Sequence, residues 1–274
     1  MSPLIEAYEL QALMREQPVR VVDAGWRLDG TDTRALFREA HIPGAVFFDL
    51  EAVSDPTSPL PHTLPDADHF GQAMGALGLS EGDRIIVYEA GPMFSAPRAW
   101  WMLRTFGALH VQVLNGGLDA WVRAGGQTEG GDASPLPGRF DAQLDADVVV
   151  DIEVVRQALT EATVPVLDAR GAARFRGEST EPRPGVRPGH MPGAVNLPYA
   201  RLVDDAGRLR GPDALARLFK GVGLADDVEP ITTCGSGVTA AILVLALTVL
   251  GRDSRLYDGS WAEWGSRTDT PVAI

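Results

Sequence analysis

Ile231-Thr232-Thr233-Cys234-Gly235-Ser236-Gly237-Val238-Thr239-Ala240-Ala241 is the segment on which the fold turns. A short β-leaning run, Ile231–Thr233, leads into the only cysteine of the chain. Two glycines, Gly235 and Gly237, let the backbone turn tightly and point its N–H groups inward. An almost wholly apolar helix is expected over 238–250, stopping at Gly251. A lone thiol is therefore expected at a strand end, among backbone donors and facing a helix N-terminus. Loop amides and helix dipole both favour a negative sulfur there. A lone cysteine is more often a small buried hydrophobe. The Gly-Ser-Gly setting argues instead for a nucleophile.

Outward from this loop, the chain says the same thing twice. Val21-Val22-Asp23-Ala24 recurs as Val166-Leu167-Asp168-Ala169, and His41-Ile42-Pro43-Gly44-Ala45-Val46 as His190-Met191-Pro192-Gly193-Ala194-Val195. Gly78-Leu79 recurs as Gly223-Leu224, and Gly116-Gly117-Leu118-Asp119-Ala120-Trp121 as Gly259-Ser260-Trp261-Ala262-Glu263-Trp264. The offsets lie between 143 and 149 residues and keep one order, the mark of a duplicated domain. Between the copies, 130–138 is dominated by Gly, Pro and Ser and reads as a linker. The expected division is an N-terminal domain over 1–133, a linker over 134–145 and a catalytic domain over 146–274.

In the first copy the spacing predicts helices over 4–15, 69–77, 96–106 and 118–124. Strands are expected over 18–23, 45–48, Arg84–Tyr88 and His110–Leu114. Strand cores such as Arg84-Ile85-Ile86-Val87-Tyr88 are continuous apolar runs, the pattern of a parallel strand covered on both faces. The fold class is thus α/β: two tandem domains, each a mainly parallel sheet with helices on both faces. Ligands of such sheets gather beyond the carboxyl ends of the strands, where Cys234 lies. Its counterpart in the first copy is Glu89 or Ala90, neither a nucleophile of this kind.

Composition narrows the partners. A net charge of −13 makes nucleic acid and anionic membrane poor ones. One cysteine rules out a disulfide framework and a Cys-based zinc site, and no His-Glu-x-x-His motif is present. The opening Met1-Ser2-Pro3-Leu4-Ile5-Glu6 has no basic or apolar leader pattern, and the apolar run over 240–250 is too short to span a bilayer. A free-thiol cytoplasmic protein without metal or cofactor is expected.

Cys-Gly-Ser-Gly-Val-Thr-Ala from Cys234, the two His-x-Pro-Gly-Ala segments and Tyr257-Asp258-Gly259-Ser260-Trp261-Ala262-Glu263-Trp264 resemble the tandem-rhodanese sulfurtransferases. The resemblance covers nearly the whole chain. Thiosulfate-using members carry basic residues at the two positions after the cysteine. Gly235 and Ser236 stand there, as in the 3-mercaptopyruvate type. The resemblance implies an inactive N-terminal and an active C-terminal rhodanese-like domain, with sulfur carried as a Cys234 persulfide held by N–H groups of Gly235, Ser236, Gly237, Val238 and Thr239. By motif, Arg174 and Arg183 match the family's substrate arginines, and forked guanidinium donors suit the planar oxygens of an α-keto acid. Ser236, His62 and Glu51 match a Ser-His-acid arrangement assisting the thiol; many relatives have Asp where Glu51 stands. A thiol such as thioredoxin or a small thiol, or cyanide in an assay, accepts the sulfur.

Other readings compete. Thiosulfate as donor and a non-enzymatic sulfur-carrier role both fit the same loop. Gly235-x-Gly237-x-x-Ala240 also fits a degenerate dinucleotide fingerprint, with Asp258 about twenty residues on. Too little chain follows Ala240 to build the strands that fold needs after this unit. A cysteine phosphatase needs an arginine six positions after its cysteine, and position 240 is alanine.

Overall fold

The computed structural model describes residues 2–274. The chain divides into two compact units. Of the described residues, the first comprises 2–56, 64–145 and 203–209; the second comprises 57–63, 146–202 and 210–274.

The first unit holds β1 (Leu4–Ile5), α1 (Ala7–Glu16), β2 (Arg20–Asp23), α2 (Thr33–Glu39), β3 (Val46–Phe47) and α3 (Leu50–Val53). It continues with α4 (Ala67–Ala76), β4 (Arg84–Tyr88), α5 (Ala96–Thr105), β5 (His110–Leu114) and α6 (Gly117–Arg123). All strand pairs are parallel, in the order β1-β5-β4-β2-β3. The second unit runs β6 (Val149–Val150), α7 (Ile152–Glu161), β7 (Val166–Asp168), α8 (Ala172–Phe175), β8 (Val195–Asn196) and α9 (Pro212–Gly221). It ends with β9 (Ile231–Thr233), α10 (Ala240–Val249), β10 (Arg255–Tyr257) and α11 (Ser260–Trp264). Its order, β6-β10-β9-β7-β8, is again wholly parallel. Each sheet is the other's topology renumbered, as the repeat predicts.

The first strand departs from expectation. Leu4 and Ile5, expected at the start of a helix, pair with Val113 and Leu114. The helix begins only after Glu6, where Glu6 and Glu9 form a capping box. A two-residue strand is too short to show alternation, so helical spacing absorbed it.

Burial explains the sequence patterns. Ile85, Ile86, Val87 and Tyr88 of β4 are fully buried, as a central strand covered on both faces requires. Residues Ala240–Leu247 of α10 are buried all round, so this helix shows no polar face. Burying each of its large apolar side chains contributes roughly 1.5–3 kcal/mol. Among the described residues, no helix is long and apolar enough to cross a membrane.

Ladder register fixes the internal correspondence. Asp23 pairs with Tyr88 in the first sheet and Asp168 with Thr233 in the second. The next residues, Glu89 and Cys234, are therefore equivalent; Ala90 is not the counterpart.

Candidate active site

Strand β9 lies between β7 and β10. From β7 the chain moves outward to β8, and from β9 it moves the other way to β10. The carboxyl ends of β7 and β9 thus flank the switch point where open α/β sheets bind ligands. Cys234 is the first residue beyond β9 and is 2% exposed. The loop from Cys234 to Thr239 then delivers the chain to the N-terminus of α10.

The two loop glycines serve different ends. Gly237 has φ +76°, which glycine alone takes without penalty. Gly235 has no such conformation. A Cβ there would meet Arg174 Nη2 at 3.1 Å, so its missing side chain makes room for a guanidinium. Both lie in the bend that follows β9, as the sequence predicts, and only Gly237 needs the left-handed region.

Ser236 is buried, and its hydroxyl lies 2.9 Å from Nδ1 of His62. His62 belongs to the 57–63 segment of this same unit, is 2% exposed and sits at φ +61°. A non-glycine residue held at positive φ costs of order 1–3 kcal/mol and gathers at functional sites. The structure therefore brings Cys234, Ser236, His62 and Arg174 to one loop of the second unit. Glu51 is an exposed residue of α3 in the first unit, where its carboxylate accepts a hydrogen bond from Trp26 Nε1 at 2.9 Å. Arg183 is half-buried in the loop between α8 and β8.

The other arginines near that loop are spoken for. Arg170 is 1% exposed, pairs with Asp168 at 2.7 Å and Glu181 at 2.9 Å, and stacks over Trp261. Arg187 donates to the carbonyls of Trp264, Gly265, Arg267 and Thr270 and ties down the C-terminal segment. Arg176 is exposed and pairs with Glu178. Arg174 is held by Glu181 at 2.5 Å yet keeps about a quarter of its side chain exposed, at 23%. Glu181 keeps Arg170 as a second partner, so Arg174 can turn toward a ligand without leaving that carboxylate unpaired.

The first unit shows what such a loop accommodates. Glu89, 2% exposed, accepts hydrogen bonds from the N–H groups of Phe94, Ser95 and Ala96 at 2.6, 3.0 and 3.0 Å. Ser95 Oγ donates to it at 3.1 Å, and Arg27 pairs with it at 2.5 Å. A carboxylate thus fills the amide ring at the N-terminus of α5. Counted from the helix N-caps, Ser95 and Thr239, the matching donors of the second unit are the N–H groups of Val238, Thr239 and Ala240. Among the described residues, the N–H groups of Gly235, Ser236, Val238 and Thr239 meet no protein acceptor. Such a ring can take the negative charge of a thiolate or persulfide.

One residue at the site escaped the sequence reading. Ser260 opens α11, is 0% exposed and has φ +51°. Its Oγ accepts from the N–H of Cys234 at 3.3 Å and of Gly237 at 3.0 Å, and donates to Tyr257 O at 2.9 Å. The repeat held the signal, because Ser260 stands where the first copy has Gly117.

A duplicated parallel α/β fold with one thiol-bearing amide loop defines the class. The rhodanese-like domain family matches residues 6–124 and again 151–267, and the chain belongs to it. A 3-mercaptopyruvate sulfurtransferase of Escherichia coli (strain K12) is 48% identical over 258 residues, 93% of this chain and 92% of its own length. The 3-mercaptopyruvate sulfurtransferase of Homo sapiens is 41% identical over 266 residues, 95% of this chain and 90% of its own. The crystal structure of SseA from Escherichia coli, a 3-mercaptopyruvate sulfotransferase, superposes with a TM-score of 0.87 at 42% identity. It covers 95% of this chain and 99% of that one.

Proposed function

We propose that this protein is a 3-mercaptopyruvate sulfurtransferase working through a persulfide on Cys234. The carrying observation is the buried Cys234 in its amide loop, with the Ser236–His62 pair at 2.9 Å beside it. The likeness to 3-mercaptopyruvate sulfurtransferases over nearly the full chain supports the same reading.

The thiolate of Cys234 attacks the sulfur of 3-mercaptopyruvate. A sulfur–sulfur bond forms and the carbon–sulfur bond breaks. The electron pair leaves on pyruvate as its enolate, which takes up a proton. Cys234 is left as a persulfide, whose charge the loop N–H groups meet. An acceptor thiolate then attacks the outer sulfur and releases Cys234 as thiolate. No other redox partner is needed for this balance. Thioredoxin or a small thiol fits as acceptor, and cyanide serves in an assay. A nucleophilic thiol must stay reduced, which supports a cytoplasmic setting.

Arg174 and Arg183 are assigned to the carboxylate and ketone of the donor. Glu51 is assigned as the acid behind the Ser236–His62 pair, a role that Glu51→Gln examines. Specificity follows from charge placement. The loop carries no cationic side chain next to Cys234, whereas thiosulfate bears its charge on the group beside the transferable sulfur. Arg174, alongside Gly235, suits a donor whose carboxylate lies away from its sulfur.

The test is mass spectrometry of the protein after each donor, followed by kinetics. Wild type should gain one sulfur from 3-mercaptopyruvate, and Cys234→Ser none. Arg174→Ala should lower kcat/KM for 3-mercaptopyruvate by about ten- to a hundredfold, the loss of one charged hydrogen bond. Preference of the wild type for thiosulfate would overturn the donor assignment. Turnover by Cys234→Ser would overturn the mechanism.

A further inference from the structure

We propose that Ser260 is a positioning residue of the sulfur-transfer site, holding the Cys234 loop in register through its buried hydroxyl. The inference rests on the Cys234 reading above and adds a residue to it.

The argument comes from the two copies. Strand β5 ends at Leu114 and β10 at Tyr257, and both pair with the first strand of their sheet in the same register. Gly117 and Ser260 each stand three residues beyond those ends. Their backbones match, at φ +55° and φ +51°. The neighbouring bonds match too: Leu118 N–H donates to Glu89 O at 3.0 Å, and Trp261 N–H donates to Cys234 O at 3.0 Å. The turn therefore demands a left-handed residue in both units. Glycine meets that demand freely, and serine meets it under strain.

The strained choice occurs only where the loop carries the thiol. There the side chain makes three hydrogen bonds, accepting from Cys234 and Gly237 and donating to Tyr257. It ties both ends of Cys234-Gly235-Ser236-Gly237 to the end of β10. Ala262 N–H, bonded to Gly235 O at 2.8 Å, completes the clamp. With those anchors fixed, the backbone from Cys234 to Gly237 is held in one conformation beside the thiol. In the first unit Glu89 organises its loop from within, so no such hydroxyl is required and none is present at Gly117.

Two substitutions in the full chain separate positioning from plain stability. Ser260→Gly removes the hydroxyl and the strain; Ser260→Ala removes the hydroxyl and keeps the strain. We expect both to lose kcat for 3-mercaptopyruvate by about tenfold, with KM changed by less than about twofold. Alkylation of Cys234 by iodoacetamide, unambiguous because it is the only cysteine, should slow in both. Thermal stability should instead separate them, with the Gly variant the more stable. If Ser260→Gly keeps wild-type kcat and alkylation rate, the proposal is overturned. If wild type forms no persulfide, the sulfurtransferase reading fails, and the alkylation rates alone still decide whether Ser260 holds the thiol's loop.

Discussion

At the scale of the residue, equivalent positions of the two units carry opposite electrostatic solutions. Asp168 is buried against the guanidinium of Arg170. Its counterpart Asp23 is equally buried but is followed at the matching position by Gly25, which offers only an N–H at 2.9 Å. Burial pushes the Asp23 carboxyl up to about 6, against the pull of the Gly25 N–H and the Tyr88 hydroxyl. The folded state then binds a proton more tightly than the unfolded chain between pH 4 and pH 6. Stability contributed by this group is present below about pH 4, falls as pH rises to about 6, and stays low above that. The span corresponds to roughly 3 kcal/mol. Asp23→Asn should therefore be more stable than wild type at pH 7 by up to about that amount, with the difference vanishing near pH 4. Urea unfolding of both proteins across that range checks it; a constant difference would show that Asp23 titrates normally. Residue chemistry was partly legible in advance. Cys234 announced itself through its Gly-Ser-Gly loop, whereas Ser236 and His62 entered only through the resemblance to the tandem-rhodanese sulfurtransferases. Ser260 did neither, because its signal lies only in the exchange with Gly117 of the first copy and not in its own neighbours.

At the scale of the element, a continuous apolar run gave β4, and β5 was likewise expected over its observed bounds. Helix α10 was legible for the same reason. What local patterns missed were elements defined by a partner rather than by themselves. β1 exists because Val113 and Leu114 supply its ladder. The seven-residue α2, capped by Asp32, has too few turns to show a period. The equivalence of Glu89 with Cys234 also needed the ladder. That equivalence carries a prediction about α5. Glu89→Ala would leave three N–H groups and Arg27 without their carboxylate, costing about 3–5 kcal/mol as for other broken buried pairs. Sulfate, able to enter the vacated ring, should restore part of the melting temperature to the variant and less to wild type. Sulfur transfer per folded chain should be unchanged. Equal sulfate responses in the two proteins would count against an anion-shaped ring.

At the scale of the whole molecule, duplication gave two sheets of identical order but not two self-contained stretches of chain. Residues 57–63 belong to the second unit although they lie in the first half of the sequence. The repeat reveals the copies, and periodicity has no means of revealing such an exchange. Expression of 146–274 alone should therefore yield a unit without His62, leaving Ser236 without its ring partner. Its kcat should be at least as low as that of His62→Ala in the full chain, about a hundredfold down if the pair moves a proton. Activity equal to the full chain would remove His62 from the mechanism. The filled ring of the first unit has a further consequence. Glu89 behaves as a ligand tethered to its own receptor, and short tethers give effective concentrations that dilute competitors do not match. An anionic donor added from solution finds that receptor already saturated. A chain built from two copies of one fold will accordingly titrate as one site.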